Sequence, residues 1–409
     1  MPTTISKFTL AGLICLIAGI FTFEIFRALP GIGLGLLLFA GLTQIKHYKE
    51  LYTKKYFLIP SLIYPMYLAN LLLIRTDTPH TLEAQLIFYL PYFILPFAMA
   101  LLPAITRRQL HSLYGFFVLL CALCAFGTLI NFALHFDAIV ASYVHSKVMP
   151  TPINHVRFSL LIAFAFFICL YLYKEKFVFR YAWERPLLIG CAIFLFIYAH
   201  VLSVRSGLLT LYAGIFLSAL WLSIRYKRYK LLIVISAVLI LIPTLSYFFI
   251  PTFGNKVRNT LEDLKRINVK GSGAHYSMAG RVVSYQVAWE IIKEYPWTGS
   301  GAANLRDEVD KTYERHFPEI IDNGVGTLTP HNQFIYLLSA TGIIGLIVFL
   351  ICFYYPLFAK ASGQFPLLRV HYLILTVSFL FEATMETQTG NIFALTFIFL
   401  PLLYLKDHD

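Results

Sequence analysis

The feature that most constrains this chain is a succession of apolar runs, each about as long as a bilayer is thick. A helix rises 1.5 Å per residue, so roughly 20 apolar residues cross a hydrocarbon core of about 30 Å. Such runs fall at 8–26, 28–44, 56–74, 83–103, 112–134, 156–173, 186–203, 206–224, 231–250, 333–355, 367–384 and 388–405. In lipid, every backbone N–H and C=O must be satisfied within the segment, which favours helices. The expected fold class is therefore all-α, a polytopic membrane protein with about 12 transmembrane helices. Composition agrees: 58% of residues are hydrophobic and 13% charged, where a soluble domain carries about 25% charged residues. The first run, Phe8 to Phe26, reads as a span and not as a cleaved signal, because no small-residue cleavage site follows it. It joins the second through a tight turn at Arg27–Pro30.

Charge orients the spans. With the N-terminus inside, the inside segments carry 18 of the 33 Lys and Arg, from Lys7 through Arg107, Arg108, Lys174 and Arg225 to Lys406. The short outside segments carry 5, namely Arg27, Arg75, Lys147, Arg157 and Arg205. The other 10 lie in a long polar stretch, 251–332, which also holds 10 acids. Positive charge collects on the cytoplasmic side and long translocated loops are largely exempt. Both termini are thus expected inside and the long loop outside. The net charge of +12 reads as a topology signal and not as a nucleic-acid footprint. The chain divides into spans one to nine (1–250), the loop (251–332) and spans ten to twelve (333–409).

Function is expected on the outer face, since the inside loops show neither a phosphate loop nor a metal cluster. The six cysteines fall in apolar spans, and Cys121-x-x-Cys124 reads as packing, not as a redox pair. Within the long loop, 253–269 has the spacing of an interfacial amphipathic helix, with Val257, Leu261, Leu264 and Ile267 on its apolar side. A break at Gly271-Ser-Gly273 follows. A second helix from Gly280 to Lys293 is expected to cover the bundle with Val282, Tyr285, Trp289 and Ile292. Pro296 ends it, Gly299-Ser-Gly301 makes a turn, and 303–322 reads as a polar helix that acts as a lid.

Pro330-His331-Asn332 stands where this loop enters span ten, and Gly342-Ile-Ile-Gly345 follows. A histidine at the mouth of a span is costly without a reason. An imidazole near its ordinary pKa takes a proton from an attacking hydroxyl at neutral pH, so His331 is the candidate base, a helix cap being the plainer alternative. Arg157, Arg205 and Arg281 lie on the same expected face. Each is either a snorkelling interfacial arginine or part of a clamp for diphosphate, which guanidinium groups bind in bidentate fashion. Asn332, His155, Glu382, Glu386 and Gln388 are candidate supporting residues. The two carboxylates orient an arginine or the histidine, or form a structural ion pair.

These residues resemble the O-antigen ligase family, which shares a superfamily with O-antigen polymerases and pilin O-oligosaccharyltransferases. The resemblance rests on the twelve-span layout, the large outside loop, and His331-Asn332 spaced before Gly342-x-x-Gly345. It is supported by Ser203-Val-Arg205-Ser-Gly207, Ala279-Gly-Arg281 with Trp289, and Pro296 through Gly301. One departure is Val204, where the family often has a small hydroxyl residue. The resemblance implies a multi-pass enzyme of the bacterial inner membrane with a periplasmic site. It further implies a donor of undecaprenyl diphosphate carrying a glycan, a lipid A-core acceptor, and inversion at the anomeric carbon without cofactor, metal or nucleotide. His331 would be the base, and Arg205 and Arg281 would hold the diphosphate.

The residue chemistry by itself reaches only a transferase acting on a phosphate-bearing lipid. An O-antigen polymerase and a protein O-oligosaccharyltransferase share the architecture. A transporter of lipid-linked sugars is disfavoured, because no internal repeat is visible and the polar residues cluster at one face.

Overall fold

The computed structural model describes residues 4–45, 53–71, 79–144, 147–265, 277–322, 327–359, 363 and 365–406. Arg75, Ile267 and the break at Gly271–Gly273 lie outside the described residues. Among the described residues the secondary structure is entirely helical. The chain begins with a hairpin of α1 (Thr4–Thr22) and α2 (Ala28–Leu42). Two broken helices follow: α3 (Lys55–Ser61) with α4 (Ile63–Leu71), and α5 (Pro79–Tyr89) with α6 (Pro91–Leu101). Next come α7 (Arg107–Leu134), the short α8 (Phe136–Val144), α9 (His155–Lys174), α10 (Glu184–Leu202), α11 (Arg205–Tyr226) and α12 (Tyr229–Phe249). The long loop folds as α13 (Pro251–Lys265), α14 (Ser277–Glu294), α15 (Leu305–His316) and α16 (Pro318–Asp322). The chain then re-enters the bundle as α17 (Gln333–Tyr354), α18 (Pro366–Phe379) and α19 (Gln388–Leu405).

Among the described residues, nine helical segments are long and apolar enough to span a membrane: Thr4–Thr22, Glu83–Leu101, Arg107–Leu134, His155–Lys174, Glu184–Leu202, Arg205–Tyr226, Tyr229–Phe249, Gln333–Phe358 and Gln388–Leu405. Ala28–Leu42 and Pro366–Phe379 are apolar but shorter. The expected run at 56–74 is built as α3 and α4. Pro65 has no N–H to give the Ser61 carbonyl, so the helix is interrupted between them. The molecule is a multi-pass membrane protein whose central helix is α19, buried along most of its length. Phe393 and Phe397 of α19 pack against Phe117 of α7, Phe164 of α9 and His371 of α18. Cys121 is a free, buried residue of that core.

The loop helices are built into the bundle. The amphipathic helix α13 turns its polar side inward: Thr252 Oγ1 donates to the Val201 carbonyl at 2.7 Å, Asn255 to that of Val140 at 3.3 Å and Asn259 to that of Tyr143 at 2.6 Å. Leu261 and Leu264 face outward and exposed, which suits an interfacial helix. On α14 the buried face is Ser284, Val287, Ala288 and Ile291, with Ile292 at its edge. Of the expected face, Val282 and Tyr285 are half-buried and Ile292 is buried, but the expectation for Trp289 is corrected: it is 57% exposed. Small residues at 284 and 288, one turn apart, lie on the buried face, and the bulky indole lies on the exposed one.

Candidate active site

The chain entering α17 is fixed on both sides of His331. Asn332 adopts an extended conformation and caps the helix, accepting from the Phe334 and Ile335 N–H groups at 2.9 and 3.1 Å. Its amide also donates to the Leu380 carbonyl at 3.1 Å, tying α17 to the end of α18. The Tyr285 hydroxyl of α14 donates to the main-chain carbonyl of His331 at 2.9 Å. With its backbone held, the imidazole places Nδ1 3.2 Å from Glu382 Oε2. A carboxylate at Nδ1 selects the Nδ1–H tautomer and leaves the Nε2 lone pair free. His331 is 34% exposed and Glu382 4%, so the imidazole is accessible and its partner is not.

Glu382 is the hub of the cluster. Arg281 lies 2.5 Å from its Oε1, and Arg157 lies 3.8 Å from its Oε2. Burial pushes the Glu382 carboxyl up, but the His331 hydrogen bond and the two guanidinium groups outweigh it and hold the pKa below the usual carboxylate value. Arg157 also donates to the Ala383 carbonyl at 3.3 Å. Arg205 opens α11 after a left-handed turn at Ser203, and its partner is Asp263 of α13 at 3.5 Å. Gly207 brings this corner against α9: a Cβ there would meet the Ser159 side chain at 2.3 Å. Arg205 and Arg281 are electrostatic neighbours. His155, the first residue of α9, lies within electrostatic reach of Glu382 and Arg157.

Two features favour an anion here. Arg157 and Arg205 sit at the N-terminal ends of α9 and α11, where the helix dipole already places partial positive charge, so cations there are unfavourable unless an anion joins them. The Nε–H groups of both arginines are buried and, among the described residues, have no acceptor. Buried donors of that kind await a partner.

The second carboxylate behaves otherwise. Among the described residues Glu386 contacts neither an arginine nor His331. It accepts from Gln333 at 2.9 Å, Tyr89 at 3.0 Å and Tyr67 at 3.4 Å. Burial pushes its pKa up to about 7, against the opposing hydrogen bonds from Gln333, Tyr89, Tyr67 and Tyr336. Gln333 in turn accepts from the Met385 N–H at 2.8 Å. Glu386 thus anchors the turn that presents Glu382, and the expectation that it orients an arginine or the histidine is corrected. Gln388 makes no hydrogen bond to the cluster among the described residues.

The glycine motif does structural work. Gly342 interrupts α17 with φ +65°, and the turn after α14 docks into the interruption. Ile343 and Ile344 N–H groups bond to the Pro296 and Trp297 carbonyls at 2.9 and 3.2 Å, and Ser300 and Gly301 N–H groups bond to those of Ser339 and Ala340 at 2.9 and 3.0 Å. Asn70 of α4 clamps the same turn, donating to the Thr298 carbonyl at 3.1 Å and accepting from the Ala302 N–H at 2.6 Å. This seam holds α14, and with it Arg281, beside the start of α17.

Asp263, Gln333, Asn70, Tyr285 and the tyrosines around Glu386 were not legible as site residues. Each acts across elements far apart in sequence, and none stands in a local pattern that marks it.

Residues 190–350 match the family model described as O-antigen ligase. The matched stretch contains Arg205, Asp263, Arg281, His331 and the Gly342 seam, and leaves out Arg157 and Glu382. No curated protein matches the chain.

Proposed function

We propose, from the match of residues 190–350 to the O-antigen ligase family model, that this chain is a glycosyltransferase that moves a glycan from undecaprenyl diphosphate to a hydroxyl of lipid A-core at the periplasmic face. The observation that carries the reading is the linked cluster His331–Glu382–Arg281–Arg157, a half-exposed histidine whose carboxylate partner is shared with two arginines. In this mechanism His331 Nε2 takes the proton of the acceptor hydroxyl as its oxygen attacks the anomeric carbon. The bond from that carbon to the diphosphate oxygen breaks on the opposite side, inverting the centre. The electron pair leaves with undecaprenyl diphosphate, whose charge Arg205, Arg281 and Arg157 stabilise. Glu382 fixes the tautomer and stabilises the imidazolium as it forms. His155 lies in the electrostatic surround of the site, and Asn332 positions the base through the helix cap. The loop 251–332 stands as a periplasmic unit between two membrane parts, 1–250 and 333–409, with both termini cytoplasmic.

The test is a deletion strain analysed by lipopolysaccharide gel together with an assay of glycan on undecaprenyl diphosphate. Core devoid of O-antigen, with long glycan accumulating on the lipid carrier, is the expected result. Core bearing one repeat unit would instead assign the chain as the polymerase, and an unchanged ladder would remove lipid A-core as the acceptor.

A further inference from the structure

We propose that Lys256 is a further phosphate-binding residue of this site, which with Arg205 and Arg281 forms a cradle for the diphosphate of the lipid-linked donor; the proposal rests on the reading above. Lys256 lies on the inward, polar side of α13, the side that Thr252, Asn255 and Asn259 pin to the bundle and from which Asp263 meets Arg205. It is half-buried. Its electrostatic neighbours are Arg205 of α11, Asp263 of its own helix, Arg281 of α14 and His155 of α9. Among the described residues its ammonium has neither an ion-pair nor a hydrogen-bond partner. Asp263, the acid of its own helix that it senses, is engaged with Arg205.

A half-buried ammonium beside two guanidinium groups is costly without an anion. Across the site Arg157, Arg205, Lys256 and Arg281 face two carboxylates, Glu382 and Asp263. Two positive charges are left uncompensated, and a diphosphate diester brings about two negative ones. Burial, followed by Arg205 and then Arg281, pushes the Lys256 pKa down to about 8, with Asp263 opposing. Above that pH the empty site holds Lys256 largely neutral. Anion binding restores its proton, so ligand binding takes up a proton above pH 8 and takes up little at pH 7.

The experiment is isothermal titration calorimetry of the full-length protein in detergent micelles with inorganic pyrophosphate, at pH 7 and pH 8.5. Two buffers of different ionisation heat report the proton uptake. Lys256→Gln is expected to weaken pyrophosphate binding about tenfold at pH 7 and to abolish the uptake at pH 8.5. Lys256→Arg should keep the affinity without the uptake, which shows that the fold is intact. Wild-type affinity and uptake in Lys256→Gln would overturn the assignment. An equal loss with inorganic phosphate would also overturn it, because Lys256 would then serve a single phosphate such as a phospholipid headgroup. Arg205→Lys and Arg281→Lys separate the two levels. If they weaken pyrophosphate binding and Lys256→Gln does not, only Lys256 is misassigned. If they too are neutral, or the wild type does not bind, the diphosphate site itself is wrong.

Discussion

At the scale of the residue, two carboxylates four positions apart have opposite electrostatics, and each sets its own test. Glu382 is held ionised by His331, Arg281 and Arg157, so its contribution to stability is present above the unfolded pKa and is lost as pH falls through the lower folded value. Glu386 is the reverse. Its folded pKa, near 7, lies above the unfolded one, so its contribution is complete below the unfolded value and is lost as pH rises toward 7. Glu386→Gln is therefore expected to flatten the fall in apparent melting temperature of the detergent-solubilised protein between about pH 4.5 and pH 7; a slope like that of the wild type would refute this account. For the chemistry, His331→Ala should lower kcat by about 10²–10⁴-fold while membrane insertion persists. Arg281→Lys keeps the charge but loses the planar fork that reaches Glu382 and that the proposed function assigns to a phosphate as well. A drop of about 10²-fold in turnover is expected, and near-normal turnover would remove Arg281 from the clamp. The sequence marked His331 and Glu382 because titratable groups at span ends are costly, and Arg281 because a guanidinium group on the same expected face can clamp a diphosphate. It could not say that one carboxylate serves the base while the other is held by tyrosines, because that depends on which helices lie beside residues 382 and 386.

At the scale of the element, the seam between the Pro296–Ala302 turn and the interrupted α17 fixes the site. Gly342 has a positive φ of +65°, and a Cβ there would lie 2.3 Å from the Trp297 backbone. With ψ at −170° the residue lies in a positive-φ extended region that is essentially restricted to glycine and costs an L-residue about 1–3 kcal/mol, and the clash with backbone adds to it. Gly342→Ala is expected to lower the apparent melting temperature and to weaken transferase activity together, since α14 carries Arg281. Gly35→Ala in α2 is the control. A Cβ there has open space, and a helical alanine should be neutral or stabilising by up to about 1 kcal/mol. A Gly342→Ala protein as stable as Gly35→Ala would show that the seam is not rigid. The Gly-x-x-Gly pattern was visible in the sequence, but it read as part of a family motif. Its physical purpose, a socket for another backbone, needed the coordinates.

At the scale of the whole molecule, α9, α11 and α17 all begin at the cluster, so three helix dipoles add to the cations around it. Charge asymmetry along the chain sets the expected orientation. In a cysteine-free background, Lys311→Cys in α15 should react with a membrane-impermeant maleimide on intact spheroplasts, and Arg108→Cys at the start of α7 only after permeabilisation. The opposite pattern would invert the topology and with it the periplasmic reading. The sequence by itself determined the all-helical, multi-pass class, because a bilayer demands long apolar runs with internally satisfied backbones. It also marked His331 and Glu382 as candidates, because ionisable groups at span ends are expensive. Only the tertiary structure decided that Trp289 faces outward and that Arg205 pairs with Asp263. It alone decided that Glu382 joins the base to the arginines. Those are contacts between segments tens to hundreds of residues apart, and neither periodicity nor charge pattern along one chain encodes which of several apolar helices become neighbours.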